Sequence, residues 1–250
     1  MHLPLPFHPT VCRSSINDVE VVPGVGVFFT DAIAPRLLFV PPWPSRATSF
    51  VPLGGFAMDT RPNGTNANGL LHLPGGLGAR DGRCPWRKPM LLVGNFALTH
   101  LYAVPLPPNG TATRVDVRCG LRAPLGGSDD ACTIPGEDDH PPAVMGGVDG
   151  MVRLPGAPRH ISIANPTRHT VTVVRLDGRC GRRPGAAVVG VWRDARLRTP
   201  TTLAAAGGWV WAVNSRLTEV PLGADFGDLA SGGFDGWHFD VVRLQPLRAE

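Results

Sequence analysis

Apolar positions recur along the chain in runs of four to eight residues, each closed by Gly, Pro or Asn. Val, Leu and aromatic residues either alternate with polar ones inside a run or fill it, the patterns of half-buried and fully buried strands. The runs fall into groups. One opens at Asn17 with "NDVEVVPG" and continues through "VGVFFTD", "PRLLFVPP" and "ATSFVPL". A second opens at Asn68 with "NGLLHLPG", followed by "PMLLVGNF", "HLYAVPLPPNG" and "TRVDVRC". A third opens at Asp149 with "DGMVRLPG", then "HISIANP", "HTVTVVRL" and "AAVVGVW". A fourth opens at Thr201 with "TTLAAAGG" and "WVWAVNS", and adds "HFDVVRL" after an intervening stretch. Helical periodicity is nearly absent: the best candidate, "LTEVPLGADFGDLA", is broken by Pro and Gly.

The groups begin 51, 81 and 52 residues apart, and the long interval contains an insertion from Gly120 to Gly147. A four-stranded unit repeating every ~40–50 residues predicts a β-propeller. A β-sandwich is the alternative, but it does not require each unit to open on the same phrase. The expected organisation is all-β: a stub over 1–16, then a single partial propeller over 17–250 with the 120–147 insertion loop, about four blades in all.

The phrase itself is nearly duplicated, as "ANGLLHLPGG" from Ala67 and "VDGMVRLPGA" from Val148. In a propeller the first strand of each blade lines the central channel, so matching positions in successive blades converge at one mouth. That places Asn17, Asn68 and Asp149 around a shared axial point. Two carboxamides and a carboxylate are hard oxygen donors of the kind calcium or another divalent cation accepts. Asp149, the carboxylate among them, is the candidate general base or nucleophile. The plainer reading is that Asn-Gly and Asp-Gly make tight turns ahead of a strand.

Composition adds limits. The chain is 43% hydrophobic and 18% charged, with 31 Gly and 27 Pro spread along it, as expected of a globular, turn-rich domain. No run is long enough to predict a transmembrane helix. The net charge of +4 rests on 23 Arg against one Lys, Lys88, a bias typical of GC-rich coding. The Arg residues are scattered and not interleaved with stacking aromatics, so no nucleic-acid partner is expected. The five Cys (12, 84, 119, 132 and 180) show no CxxC spacing. Cys119 and Cys132 could close a loop, or all could be free thiols. Two sequons, at Asn63 and Asn109, favour a secretory route, although the first residues lack the form of a signal peptide.

Several smaller features read as structural. The acidic "GEDDH" stretch (Glu137 to His140), with Asp129 and Asp130, is a solvated loop. The "GVG" at Gly24 and "GGLG" at Gly75 open no helix and read as hairpin turns. His100, His169 and His238 recur near the starts of third strands, as a repeated packing element would. Trp209 and Trp211 share one side of a strand and are expected in the core. Asp31, Asn95, Asn165 and Asn214 end second strands, where capping a turn is their simplest role.

The stretches "NDVEVVPGVGVFFTD", "NANGLLHLPGG", "LLVGNFALTHLYAVPL", "VDGMVRLPG" and "TPTTLAAAGGWVWAVNSRL" resemble the six-bladed propellers of the gluconolactonase and regucalcin (senescence-marker-protein) class. The resemblance runs from Asn17 to the end of the chain. It implies a channel-bound calcium or similar ion and hydrolysis of small lactones or esters. Its ligands, carried onto this sequence, are Asn17, Asn68 and Asp149. The family's first-blade Glu has no counterpart here, and Ser15 stands where enzyme members often carry a basic residue. The resemblance therefore implies an N-terminally truncated propeller, about two blades short, with weakened metal binding and little turnover. The competing function is a non-enzymatic propeller that binds a peptide or small ligand at the same mouth.

Overall fold

The computed structural model describes residues 14–45, 47–60, 65–77, 85–108, 110–121, 145–177, 184–215 and 240–244. It is an all-β arrangement of four small antiparallel sheets, propeller-like in order. The first sheet holds β1 (Ile16–Val22), β2 (Gly26–Asp31), β3 (Arg36–Val40) and β4 (Ser49–Pro52) in sequence order. The second holds β5 (Ala67–Leu73), β6 (Met90–Asn95), β7 (His100–Pro105) and β8 (Thr113–Arg114). The third holds β10 (Met151–Arg153), β11 (His160–Asn165), β12 (Thr170–Leu176) and β13 (Gly185–Arg193), with β9 (Asp116–Cys119) added outside. The fourth holds β14 (Pro200–Ala206), β15 (Trp209–Asn214) and β16 (Val241–Leu244).

Both ends of the repeated phrase have a structural meaning. At its start every inner strand carries a β-bulge. The register between β1 and β2 shifts between Ile16 and Val19, that between β5 and β6 between Ala67 and Leu70, and that between β14 and β15 between Pro200 and Thr202. In the third sheet Asp149 N donates to Ala164 O (3.1 Å) while Ala164 N donates to Gly150 O (2.9 Å), so two residues face one. At its end, Pro-Gly reverses the chain. Val25 N bonds Val22 O (3.0 Å) and Ala157 N bonds Leu154 O (3.1 Å), across Gly24 and Gly156 at φ 74°. A turn with Pro first and a left-handed Gly second has this form, and Gly holds that conformation without steric cost.

Three hydrophobic cores lie between consecutive sheets. Phe28, Leu37 and Tyr102 belong to the first, Leu92, Ile161 and Met151 to the second, Val171, Leu203 and Ala212 to the third. The middle sheets are therefore covered on both faces, and all six residues of β6 are buried. Among the described residues the outer sheets are covered on one face, and β15 alternates half-buried and buried along its length.

Two expectations need correction. "TRVDVRC" is not a single fourth strand of the second sheet. Thr113 and Arg114 pair with β7, Val115 is buried, and Asp116–Cys119 runs parallel to Gly185–Val188 of β13. A strand that crosses in this way covers what would otherwise be an open sheet edge. Trp209 and Trp211 share a face, as expected, but are only half-buried, because that face of the fourth sheet points away from the third. Arg243 lies over the Trp209 ring at 4.6 Å, and Trp211 Nε1 donates to Ala206 O. Cys119 is disulfide-bonded, to a partner outside the described residues. The other four Cys, both sequon Asn residues, His238, the acidic stretch and most of the 120–147 insertion also lie outside them.

Candidate functional site

The bulges bring chemistry to one end of the inner strands. In the first sheet the bulge exposes Asn17 and turns Asp18 toward the second sheet. Asp18 N donates to Thr30 Oγ1 (2.9 Å), its Oδ1 takes Val19 N (2.8 Å), and its Oδ2 reaches across to accept Leu70 N (2.7 Å). In the second sheet the corresponding residue is Gly69, where an added Cβ would collide with the carbonyl oxygen of Asp149. In the third it is Gly150, where an added Cβ would lie 2.6 Å from Thr201 O, and Gly150 N donates to that same oxygen at 2.8 Å. The position after each Asn or Asp thus faces the next sheet. Only backbone fits there in the middle of the molecule, which is why Gly follows.

The segment Asn68–Leu70 consequently runs between the first and third sheets: Leu70 N holds the Asp18 carboxylate, and Gly69 abuts the backbone carbonyl of Asp149. Asn68 is 4% exposed, and its Oδ1 has no hydrogen-bond partner. A buried carboxamide oxygen left unpaired is uncommon and calls for an explanation. Asp149 Oδ1 accepts Gly150 N at 3.0 Å. Burial first, and then the charge of Asp18, push the Asp149 carboxyl up to about 7, against the lowering effect of the Gly150 bond. Burial likewise raises Asp18, with the Leu70 and Val19 bonds opposing. The carboxylate that acts on Asp149 is that of Asp18, a residue the sequence pattern passed over in favour of its neighbour Asn17. The doublet "ND" was its signal.

Below the bulges the four inner strands line an open cavity of about 580 Å³, with Asp18, Glu20, His72, Arg153 and Thr202 among its walls. Burial raises Glu20 despite the backbone N–H of His72; Asp18 adds to the rise and Arg153 opposes it. Burial and then Arg153 lower His72. The cavity therefore holds acids toward the bulge end, with an arginine and a histidine further along. Among the described residues, no group of three or more His, Cys, Asp or Glu is placed to hold a metal ion. Nor is any helix there long and apolar enough to cross a membrane.

The polar residues that close the second strands do more than cap turns. Asp31 takes Ser15 N, Ile33 N, Ala34 N, the Ser14 hydroxyl and Arg36 Nε. Asn95 Oδ1 caps its hairpin through Leu98 N while Nδ2 donates to Ala57 O. Asn214 bonds Arg196 O and Arg198 N. Each of these three ties the connection entering its sheet to the second strand. Asn165 instead bonds Ile163 O and Thr172 Oγ1 within its own sheet.

No protein-family model and no curated protein matches the chain. Among solved structures, a functionally unknown protein from Desulfotomaculum acetoxidans DSM 771 has a TM-score of 0.42 at 12% identity, covering 80% of this chain and 49% of its own. The periplasmic gluconolactonase PpgL of Pseudomonas aeruginosa has a TM-score of 0.40 at 14% identity, covering 76% of this chain and 42% of its own. The chain thus spans less than half the length of either structure. Likeness at this level concerns chain path and bears on no activity.

Proposed function

We propose that the bulge end of the inner strands binds a divalent cation, calcium being the best fit, through Asp18, Asn68 and Asp149, and that the protein hydrolyses small lactones or esters there. The observation that carries this reading is the Asn68 carboxamide oxygen, buried and unpartnered on the segment held by the Asp18 carboxylate at Leu70 N and packed on the Asp149 backbone at Gly69. A hard cation satisfies all three at once, relieving the repulsion between the acids and giving the orphan oxygen a partner. Asn17, beside Asp18 on the exposed side, is placed to meet substrate more readily than the ion.

When bound, such an ion polarises a carbonyl oxygen and makes a bound water more acidic. The remaining work falls to the chain. Without the ion the Asp149 carboxyl changes protonation at about 7; as a ligand it would be deprotonated, and its carboxylate is the group that would take a proton from an attacking water and return it to the leaving alcohol. Burial sets most of the metal-free proton affinity, and Asp18, anchored by Leu70 N, adds to it through its charge. Arg153 and His72 line the cavity where the acyl part of a substrate would lie.

Calorimetric titration of the protein with calcium at pH 7 tests the site, repeated in buffers of different ionisation enthalpy. The expected result is saturable binding with proton release, absent in Asp149→Ala. Equal binding by that variant, or no binding by the wild type, overturns it. Hydrolysis of a small aliphatic lactone, abolished by chelation and restored by calcium, is the expected activity.

A further inference from the structure

A second concentration of charge lies at the same rim, two strands outward from the bulge of the third sheet. The β11–β12 hairpin and the β13–β14 connection meet there. Thr170 pairs with both Asn165 and Arg193, one row beyond Ala164, which makes the two bulge bonds. Between them opens a cavity of about 740 Å³. Arg168 and Arg193 line it and are exposed, His169 and Arg198 stand beside them, and Thr170 contributes a buried wall.

The acid among the lining residues does not cancel this charge. Asp194 is engaged by Arg196, whose Nε and Nη2 donate to its two oxygens at 2.9 and 2.6 Å while Arg196 N donates at 2.9 Å. Thr170 is 8% exposed and closes the wall of the cavity, its hydroxyl buried on the face it shares with its cross-strand neighbour Asn165. His169 is held in the left-handed region (φ 53°), with its Nδ1 accepting Thr199 N at 2.9 Å. Its ring proton is then on Nε2, as a donor. A non-glycine residue keeps that backbone conformation only where its surroundings enforce it.

Guanidinium groups and an imidazole N–H are donors, so the complementary ligand is an acceptor that carries negative charge. A carboxylate brings two oxygens and one charge; a phosphate group brings three oxygens and close to two charges at neutral pH. We infer that this cavity binds a phosphate group, free or as the ester of a small molecule, with Arg168 and Arg193 as its principal partners. The site is separate from the proposed metal site and requires nothing of it.

The test is calorimetric titration of the full chain at fixed ionic strength with inorganic phosphate, glycerol phosphate and acetate. Saturable binding of a phosphate species is expected, about tenfold weaker in the double variant Arg168→Gln/Arg193→Gln, with acetate far weaker than either. Both arginines are exposed, so that variant keeps its fold. Tighter binding of the ester identifies a phosphorylated metabolite as the ligand; tighter binding of inorganic phosphate identifies the free anion. Unchanged affinity in the double variant, equal binding of acetate, or no saturable binding overturns the site.

Discussion

The inner strands of the first and third sheets carry the same bulge, yet they use it differently. In the third, Asp149 is followed by Gly150, and the next sheet's backbone closes directly on that glycine. In the first, Asn17 is followed by Asp18, and the space that backbone fills elsewhere is bridged by a carboxylate reaching to Leu70 N. The backbone repeats; the side chains do not. One geometric device therefore produces a packing contact at one junction and an electrostatic one at another, and the candidate site arises where the two kinds are adjacent.

The contrast breaks most severely at Gly69. Gly69→Val places a branched side chain against the Asp149 carbonyl, between two backbones that have no room to part. The expected loss is about 4 kcal/mol or more, read as a collapse of the urea midpoint. Gly24→Ala is the control: its φ is 74° but nothing lies within 4 Å of the new Cβ, so only the left-handed strain applies, about 1–2 kcal/mol. Similar losses at the two positions would show that close approach is not why Gly follows Asn.

The second break concerns charge. Because the folded protein raises the Asp149 carboxyl to about 7, it holds that proton more tightly than the unfolded chain does. Stability is therefore lost as pH rises from the ordinary carboxylate range through about 7, with no further loss from this group above it. Asp149→Asn removes the titration and keeps an acceptor for Gly150 N. The variant should match the wild type in acid and exceed it progressively toward neutrality, by about 3 kcal/mol after allowing for partial exposure. Parallel stability curves from pH 4 to 8 would mean that the carboxyl is ordinary. Saturating calcium should flatten the wild-type curve and leave the variant's unchanged.

How much of this was legible beforehand follows from the period of each signal. Strand runs, unit boundaries and the Pro-Gly turns were readable because apolar alternation and turn residues act locally, and "LPG" ends β5 and the third inner strand alike. Asn68 and Asp149 stand out in the sequence as candidates because their phrase repeats. Asp18 does not, since a bulge inserts a residue and so changes which neighbour turns inward. The crossing of Asp116–Cys119 to β13 was hidden as well: its sequence fits either edge, and only the buried Val115 marks where the chain changes sheets. The arginine-lined cavity belongs to no repeat, because a hairpin and a connection supply it from one blade junction.

The smallest expected effect sharpens the comparison most. Asp18→Asn keeps an oxygen for Leu70 N and leaves the bulge intact, so stability should change by no more than about 1 kcal/mol. What it removes is the negative charge that acts on Asp149. The Asp149 carboxyl, followed by carbon-detected NMR titration, should move down toward the usual carboxylate range while staying above it, because burial, the larger cause, is unchanged. A full return to the ordinary value would make Asp18 the dominant cause. No movement would mean that the two acids do not sense each other, and that the bulges of the first and third sheets, for all their shared geometry, form separate sites.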